Sequence, residues 1–213
     1  MRNRDELLDS LTSGLAPVAP APDLRVLASF WLMVSAAYVV LVTHFLGPIR
    51  PTAMAQLQSE PRFILEMLVG ASAAIGLAAV AFRCAQPAAL SRTLTVLVSL
   101  LGALWLGGFV FGLISPALDP SMLGKRDHCF IETFVYALPP LLVLLYWQRR
   151  LYALQPGKAA VLAGLSAGVL PALYMQVACM YQPAHILAFH VGPALAVAAV
   201  APLLLRLWPQ RSP

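Results

Sequence analysis

The sequence predicts an all-α integral membrane protein, with six transmembrane helices and a short cytoplasmic amphipathic helix at the N-terminus. Three observations predict it. The 213 residues are 60% hydrophobic and only 11% charged, where a soluble domain carries about a quarter charged residues. The apolar residues fall into blocks long enough to cross a bilayer, about 20 residues each. The connections between blocks run from a few residues to about 16, which excludes a large extramembrane domain.

Residues 1–24 read as a polar tail. "MRNRDELLDSLTSGLAPVAPAPD" places acids where a secretion signal needs a basic lead, and it lacks a continuous apolar core. The tail is therefore expected to stay attached. Its residues 3–14 predict a helix. Asn3 can cap, Glu6 completes a capping-box-like pair, and Asp5 and Glu6 suit the positive end of the helix dipole. Leu7, Leu8, Leu11 and Leu15 form one helical stripe. Gly14 marks a stop, and "APVAPAPD" reads as an extended, proline-stiffened spacer.

The membrane domain, 25–207, divides into spans at about 25–46, 63–82, 93–115, 130–148, 159–179 and 185–207. Span one ends in His44. Span two is the shortest and carries Glu66 near one end. Span four is entered through "KRDHCFIET", carries Glu132 near its start, and holds the pair Pro139-Pro140, which neighbouring helices can accommodate. Span five is rich in small residues and ends in Cys179. Span six opens with His185 and has His190 about 7 Å deeper, at 1.5 Å per residue. Residues 208–213 form a short C-terminal tail. Two small-residue faces, Gly70, Ala74 and Gly76 in span two and Gly164, Ala167 and Gly168 in span five, suggest helices close enough to slide.

Six spans put both termini on one side. Arg2, Arg4, Arg25, Arg83, Arg92, Arg149, Arg150, Lys158, Arg206 and Arg211 lie there, ten of the fourteen basic residues. Arg50, Arg62, Lys125 and Arg126 lie opposite. Short cytoplasmic loops are enriched in Lys and Arg, so both termini are expected in the cytoplasm. The same asymmetry accounts for the net charge of +5, and the scattered arginines form no nucleic-acid footprint.

All four histidines, His44, His128, His185 and His190, then fall toward the outer face. Cys129 and Cys179 join them, with Glu66 and Glu132 at the outer ends of spans two and four. Cys84 lies on the cytoplasmic side beside Arg83. Thiolate and imidazole suit copper(I), zinc or cadmium. A site of Cys129, Cys179 and His185, with His128, His190, Glu132 and Glu66 nearby, is chemically sensible, although no CxxC or HxxxH spacing marks it. Two other readings stay open: a structural disulfide and ordinary packing of small apolar residues. A pair able to do both is also a redox switch, because oxidation removes the thiolates a metal needs. Taken alone, His190 reads as a packed, hydrogen-bonded histidine and His44 as an interfacial residue. Glu66 and Glu132 lack the deeper polar groups that a proton path requires.

The tail helix, about 12 residues, is marginal alone and needs its leucine stripe covered. Its polar face carries three acids, whereas anionic lipid favours basic faces. A protein groove is the better cover.

Taken together, "LLDSLTSGLAPVAP", the span "LPPLLVLLYWQRR" entered from a Cys-containing loop, and "AVLAGLSAGVLPALYMQVAC" ending in cysteine resemble the NrsF family over essentially the whole chain. These are membrane-bound negative regulators of sigma factor F. The resemblance implies an anti-sigma factor that holds an extracytoplasmic-function sigma factor at the bacterial inner membrane, and the N-terminal tail is the segment expected to bind it. It implies release under heavy-metal stress sensed by paired cysteines, here Cys129 and Cys179, with no required cofactor beyond a transient metal ion. The sequence departs from the family pattern of a His-Cys pair at the end of span five, since in "ACMYQPAH" the histidine is displaced to His185. No nucleotide-binding loop, haem-attachment motif or hydrolase triad is present, so an enzyme with a small-molecule substrate is not expected. The rival reading is a small membrane metal-handling or thiol-redox protein.

Overall fold

A computed structural model describes residues 3–13, 22–86, 89–151 and 153–208. The described residues form helices and loops, with no β-strand among them. Helix α1 is Arg4–Thr12 and α2 is Leu24–Leu46. A short α3, Ala53–Ser59, precedes α4, Pro61–Cys84. Then come α5, Arg92–Gly112; α6, Cys129–Arg150; and α7, Pro156–Ala178. The last helix, α8, runs Pro183–Leu207 with a π-helical turn at Leu187–Val191. Six of these, α2, α4, α5, α6, α7 and α8, are long and apolar enough to cross a membrane.

The helix starts follow from their sequences. Asp23 accepts the Arg25 N–H at 2.8 Å and Ser91 accepts that of Leu94 at 3.1 Å, each satisfying a donor the helix cannot use. Prolines 61, 156 and 183 stand in first turns, where a missing N–H is harmless. α1 departs from expectation. Asn3 occupies the N-cap position, but its side chain makes no capping bond, so the capping box does not close. Leu7, Leu8 and Leu11 of α1 are exposed. Leu15, Gly14 and most of the spacer lie outside the described residues. The α3 helix in the first connection was not expected.

α7 is the centre of the body. Of its apolar window 72% is buried, against 17% for α5 at the periphery. Glycine and alanine make this possible: a Cβ on Gly164 would sit 2.5 Å from Ala198 Cα, and one on Gly168 2.8 Å from Ala194 Cα. Backbone rests directly on backbone along α7 and α8. In α4, Gly70 and Gly76 instead admit side chains, those of Trp105 with Leu173, and of Val98. The proline pair of α6 sits against α2, where the Trp31 indole N–H donates to the Pro140 carbonyl at 3.0 Å. The outward faces carry Phe30, Leu41, Leu68, Leu104 and Ile131, as expected of helices facing acyl chains.

The ends of α2, α5 and α7 meet the starts of α4, α6 and α8 at one end of the bundle. Loop backbones are tied together there, Arg50 N–H to the Ala178 carbonyl at 3.0 Å and Ser121 N–H to the Tyr181 carbonyl at 3.2 Å. Gly124 is needed at this junction. Its φ is +77°, and a Cβ there would meet Arg50 Cα at 2.8 Å.

Candidate functional site

Cys129 is the first residue of α6, and Cys179 is the residue immediately after α7. The Cys179 N–H closes the last turn onto the Met175 carbonyl at 2.8 Å, after which φ −97° and ψ 174° turn the chain away. This aims the sulfur back across the helix end. The two Sγ atoms lie 2.9 Å apart. The Cys179 sulfur also meets His185 Nε2 at 3.5 Å, and the Cys129 Sγ–H donates to the Arg126 carbonyl at 3.3 Å.

His190 completes the group. Donor atoms of Cys129, Cys179, His185 and His190 all lie within 4.8 Å of one another. In a regular α-helix, residues five apart point about 140° away from each other. The π turn removes that divergence: the Gly192 N–H bonds to the Leu187 carbonyl, five residues back. Pro193 explains the turn, because it has no N–H for the Phe189 carbonyl and its ring would collide with that oxygen. The two imidazoles stand perpendicular with centroids 5.1 Å apart, and His185 stacks on Phe189 at 4.8 Å.

Cys129, Cys179 and His190 are buried, and His185 is half-buried. Neither ring nitrogen of His190 makes a well-aligned hydrogen bond among the described residues, although the Cys179 sulfur lies close enough to interact with the ring. A buried polar side chain without a partner costs about 1–3 kcal/mol.

The arrangement has two chemical capabilities. Two sulfurs on one tetrahedral zinc-like ion stand about 3.8 Å apart, given metal–sulfur bonds of about 2.3 Å. Two sulfurs in a disulfide stand about 2.05 Å apart. The observed separation lies between these values, within about 1 Å of each. The donor set also fits a soft or borderline ion: two thiolates and two neutral imidazoles balance a divalent charge, as burial demands.

The remaining candidates stand apart from the group. His128 is the exposed N-cap residue of α6. Glu132 is paired with Arg126 at 2.6 Å. Glu66 accepts the Tyr181 hydroxyl at 2.9 Å. His44 contacts the Val40 carbonyl and the Tyr174 hydroxyl, each at 3.1 Å. Cys84 is unpaired and lies at the end of α4.

Two buried arginines frame the site, and sequence reasoning saw them only as loop charges. Arg50 donates to the Gln176 carbonyl near the end of α7 at 3.1 Å, and its guanidinium lies over the Phe63 and Tyr181 rings. Burial pushes it below its ordinary pKa, with Cys179 and Tyr181 opposing. Arg126 donates to the carbonyls of Thr43, at 3.3 Å, and Pro48, at 2.7 Å. Burial alone would lower it, but the Glu132 carboxylate more than offsets that and holds it above its usual value. Tyr181 is raised by burial and by the Glu66 carboxylate.

A family model described as NrsF, negative regulator of sigma F, matches residues 11–208. No curated protein and no solved structure matches the chain.

Proposed function

This chain belongs to the NrsF family of negative regulators of sigma F, and from that premise we propose that it is an anti-sigma factor whose tail holds its partner until the cysteine group is engaged. The partner is an extracytoplasmic-function sigma factor, held on the cytoplasmic side of a bacterial inner membrane. The observation that carries the input side is the convergence of Cys129, Cys179, His185 and His190, with His190 buried and unpartnered. A heavy-metal ion would be held by these four donors. Alternatively, an oxidant takes two electrons and two protons from the thiols and leaves a disulfide. A disulfide would draw the start of α6 toward the end of α7, whereas an ion would space their two sulfurs further apart, so either event would move these helix ends.

The output side rests on α1. Leu7, Leu8 and Leu11 are 46%, 48% and 63% exposed, an apolar face that a groove on the sigma factor would cover, and Leu15 is the next leucine of the stripe in sequence. The tail leads into α2, whose 23 residues span about 35 Å to the end of the bundle where the cysteines lie. A ligand shifts such a system only by binding one of two states better. Here the liganded state is the one with a weaker grip.

The test is co-purification from membranes, comparing the full chain with one lacking residues 2–20, each with and without cadmium(II). The expected result is a sigma factor held by the full chain alone and released by cadmium(II). A partner retained after the truncation, or no sigma factor at all, would overturn the reading.

A further inference from the structure

The geometry points to Arg126 as the residue that couples the cysteine group to α2, the helix leading to the tail. The coupling rests on the anti-sigma reading above, and it concerns how the signal leaves the site. Arg126 makes four connections at one place. Its carbonyl accepts the Cys129 Sγ–H at 3.3 Å. Its Nε donates to Glu132, in the first turn of α6, at 2.6 Å. Its Nη1 donates to the Thr43 carbonyl at 3.3 Å and to the Pro48 carbonyl at 2.7 Å. One residue therefore touches a sulfur of the site with its backbone and the far end of α2 with its side chain.

The fit is close. Arg126 is 4% exposed, and a Cβ at Gly47 would overlap its guanidinium. The last carbonyls of a helix have no partner within it, and a buried guanidinium supplies donors in a fixed fork. Thr43 is buried as well and bonds the Val39 carbonyl at 2.7 Å, so a shift at Thr43 passes into the preceding turn of α2. When Cys129 ligates a metal, its proton is released to solvent and the bond to the Arg126 carbonyl is lost. The sulfur also moves, since a tetrahedral ion needs the sulfurs about 0.9 Å further apart than the observed 2.9 Å. The loop carrying Arg126 moves with it, and the guanidinium shifts against the end of α2.

Arg126→Lys and Gly47→Ala test the coupling from opposite sides of one contact. Lysine keeps the charge beside Glu132 but lacks the fork, and alanine displaces the guanidinium while leaving Arg126 in place. The probe ligand is cadmium(II), followed by thiolate absorbance. The movement is followed by fluorine NMR of a trifluoromethyl-phenylalanine at Phe45, an exposed residue two positions after Thr43 in the last turn of α2. In the otherwise native chain, cadmium(II) is expected to bind, to shift the fluorine resonance and to release the sigma factor. Both variants are expected to bind cadmium(II) with near-native affinity, to lose the shift, and to require about tenfold more cadmium(II) for release. A native fluorine shift and native release in the variants overturn the coupling. So does the absence of any shift in the native chain. If the native chain binds cadmium(II) without releasing its partner, the anti-sigma input falls, while an Arg126-dependent shift still supports the coupling.

Discussion

The Sγ atoms of Cys129 and Cys179, fifty residues apart in sequence, stand 2.9 Å from each other in a buried setting. The contact fixes which disulfide can form. Oxidation of the detergent-solubilised protein by a diazene oxidant is expected to join Cys129 to Cys179 within one chain, the diazene taking up the two hydrogens. Peptide mass spectrometry without reduction should find that linkage, and bound cadmium(II) should suppress it. Dimers linked through Cys84 as the main product would contradict the geometry.

His190 gives a prediction of opposite signs. Replacing an unpartnered buried polar group with an apolar one of similar size is neutral or stabilising. His190→Leu is thus expected to raise stability without metal by about 1 kcal/mol, seen as a higher Tm in detergent. Loss of groups that merely orient a ligand weakens metal binding about 10–100-fold, so loss of a ligand itself should weaken cadmium(II) binding by at least about a hundredfold. A variant that melts lower while binding cadmium(II) normally would make His190 a packing residue.

The α7–α8 contact separates two kinds of glycine. Gly164→Ala forces a Cβ against the Ala198 backbone, at 2.5 Å from its Cα, and backbone yields poorly. The expected loss is at least about 1–3 kcal/mol. Gly102 in α5 has open space around it, so Gly102→Ala should gain about 0.5–1 kcal/mol from reduced chain entropy. Thermal melts of the two variants in one detergent check both signs. Equal melts would mean that the helices do not pack as described.

The six spans were legible because a bilayer imposes a length and a composition on every helix that crosses it. The convergence of Cys129 and Cys179 was legible for a related reason, since both residues end spans on the same face. His190 could be placed only near the group from sequence, because its approach to His185 depends on a π turn, which a 3.6-residue period cannot reveal. Pro193 three positions later was the available signal. Arg126 and Arg50 were invisible as structural parts, because in sequence they are merely charges in connecting loops. Which helix carbonyls they reach is settled by how the loops fold over α2 and α7. The capping box at Asn3 was overread, since an N-cap position does not oblige the side chain to bond.

α1 supplies the last prediction. Leu7, Leu8 and Leu11 remain exposed in the described residues, and alanine is a better helix former than leucine, so Leu→Ala removes the apolar face without unravelling the helix. Burying a leucine side chain is worth about 1.5–3 kcal/mol. Each of Leu7→Ala, Leu8→Ala and Leu11→Ala should therefore weaken sigma-factor binding by about tenfold to a hundredfold, measured as a Kd against the purified chain. Arg4→Ala, at the start of the helix, should change it by less than about threefold, as a rim charge does. Tail peptides carrying the same substitutions should be tested on vesicles containing anionic lipid. If the leucine variants keep full affinity for the sigma factor but lose their hold on vesicles, then α1 lies on the membrane and the tail does not recognise the partner. If both affinities fall together, the stripe serves the two surfaces in turn, and release of the sigma factor would be a transfer of α1 from groove to lipid.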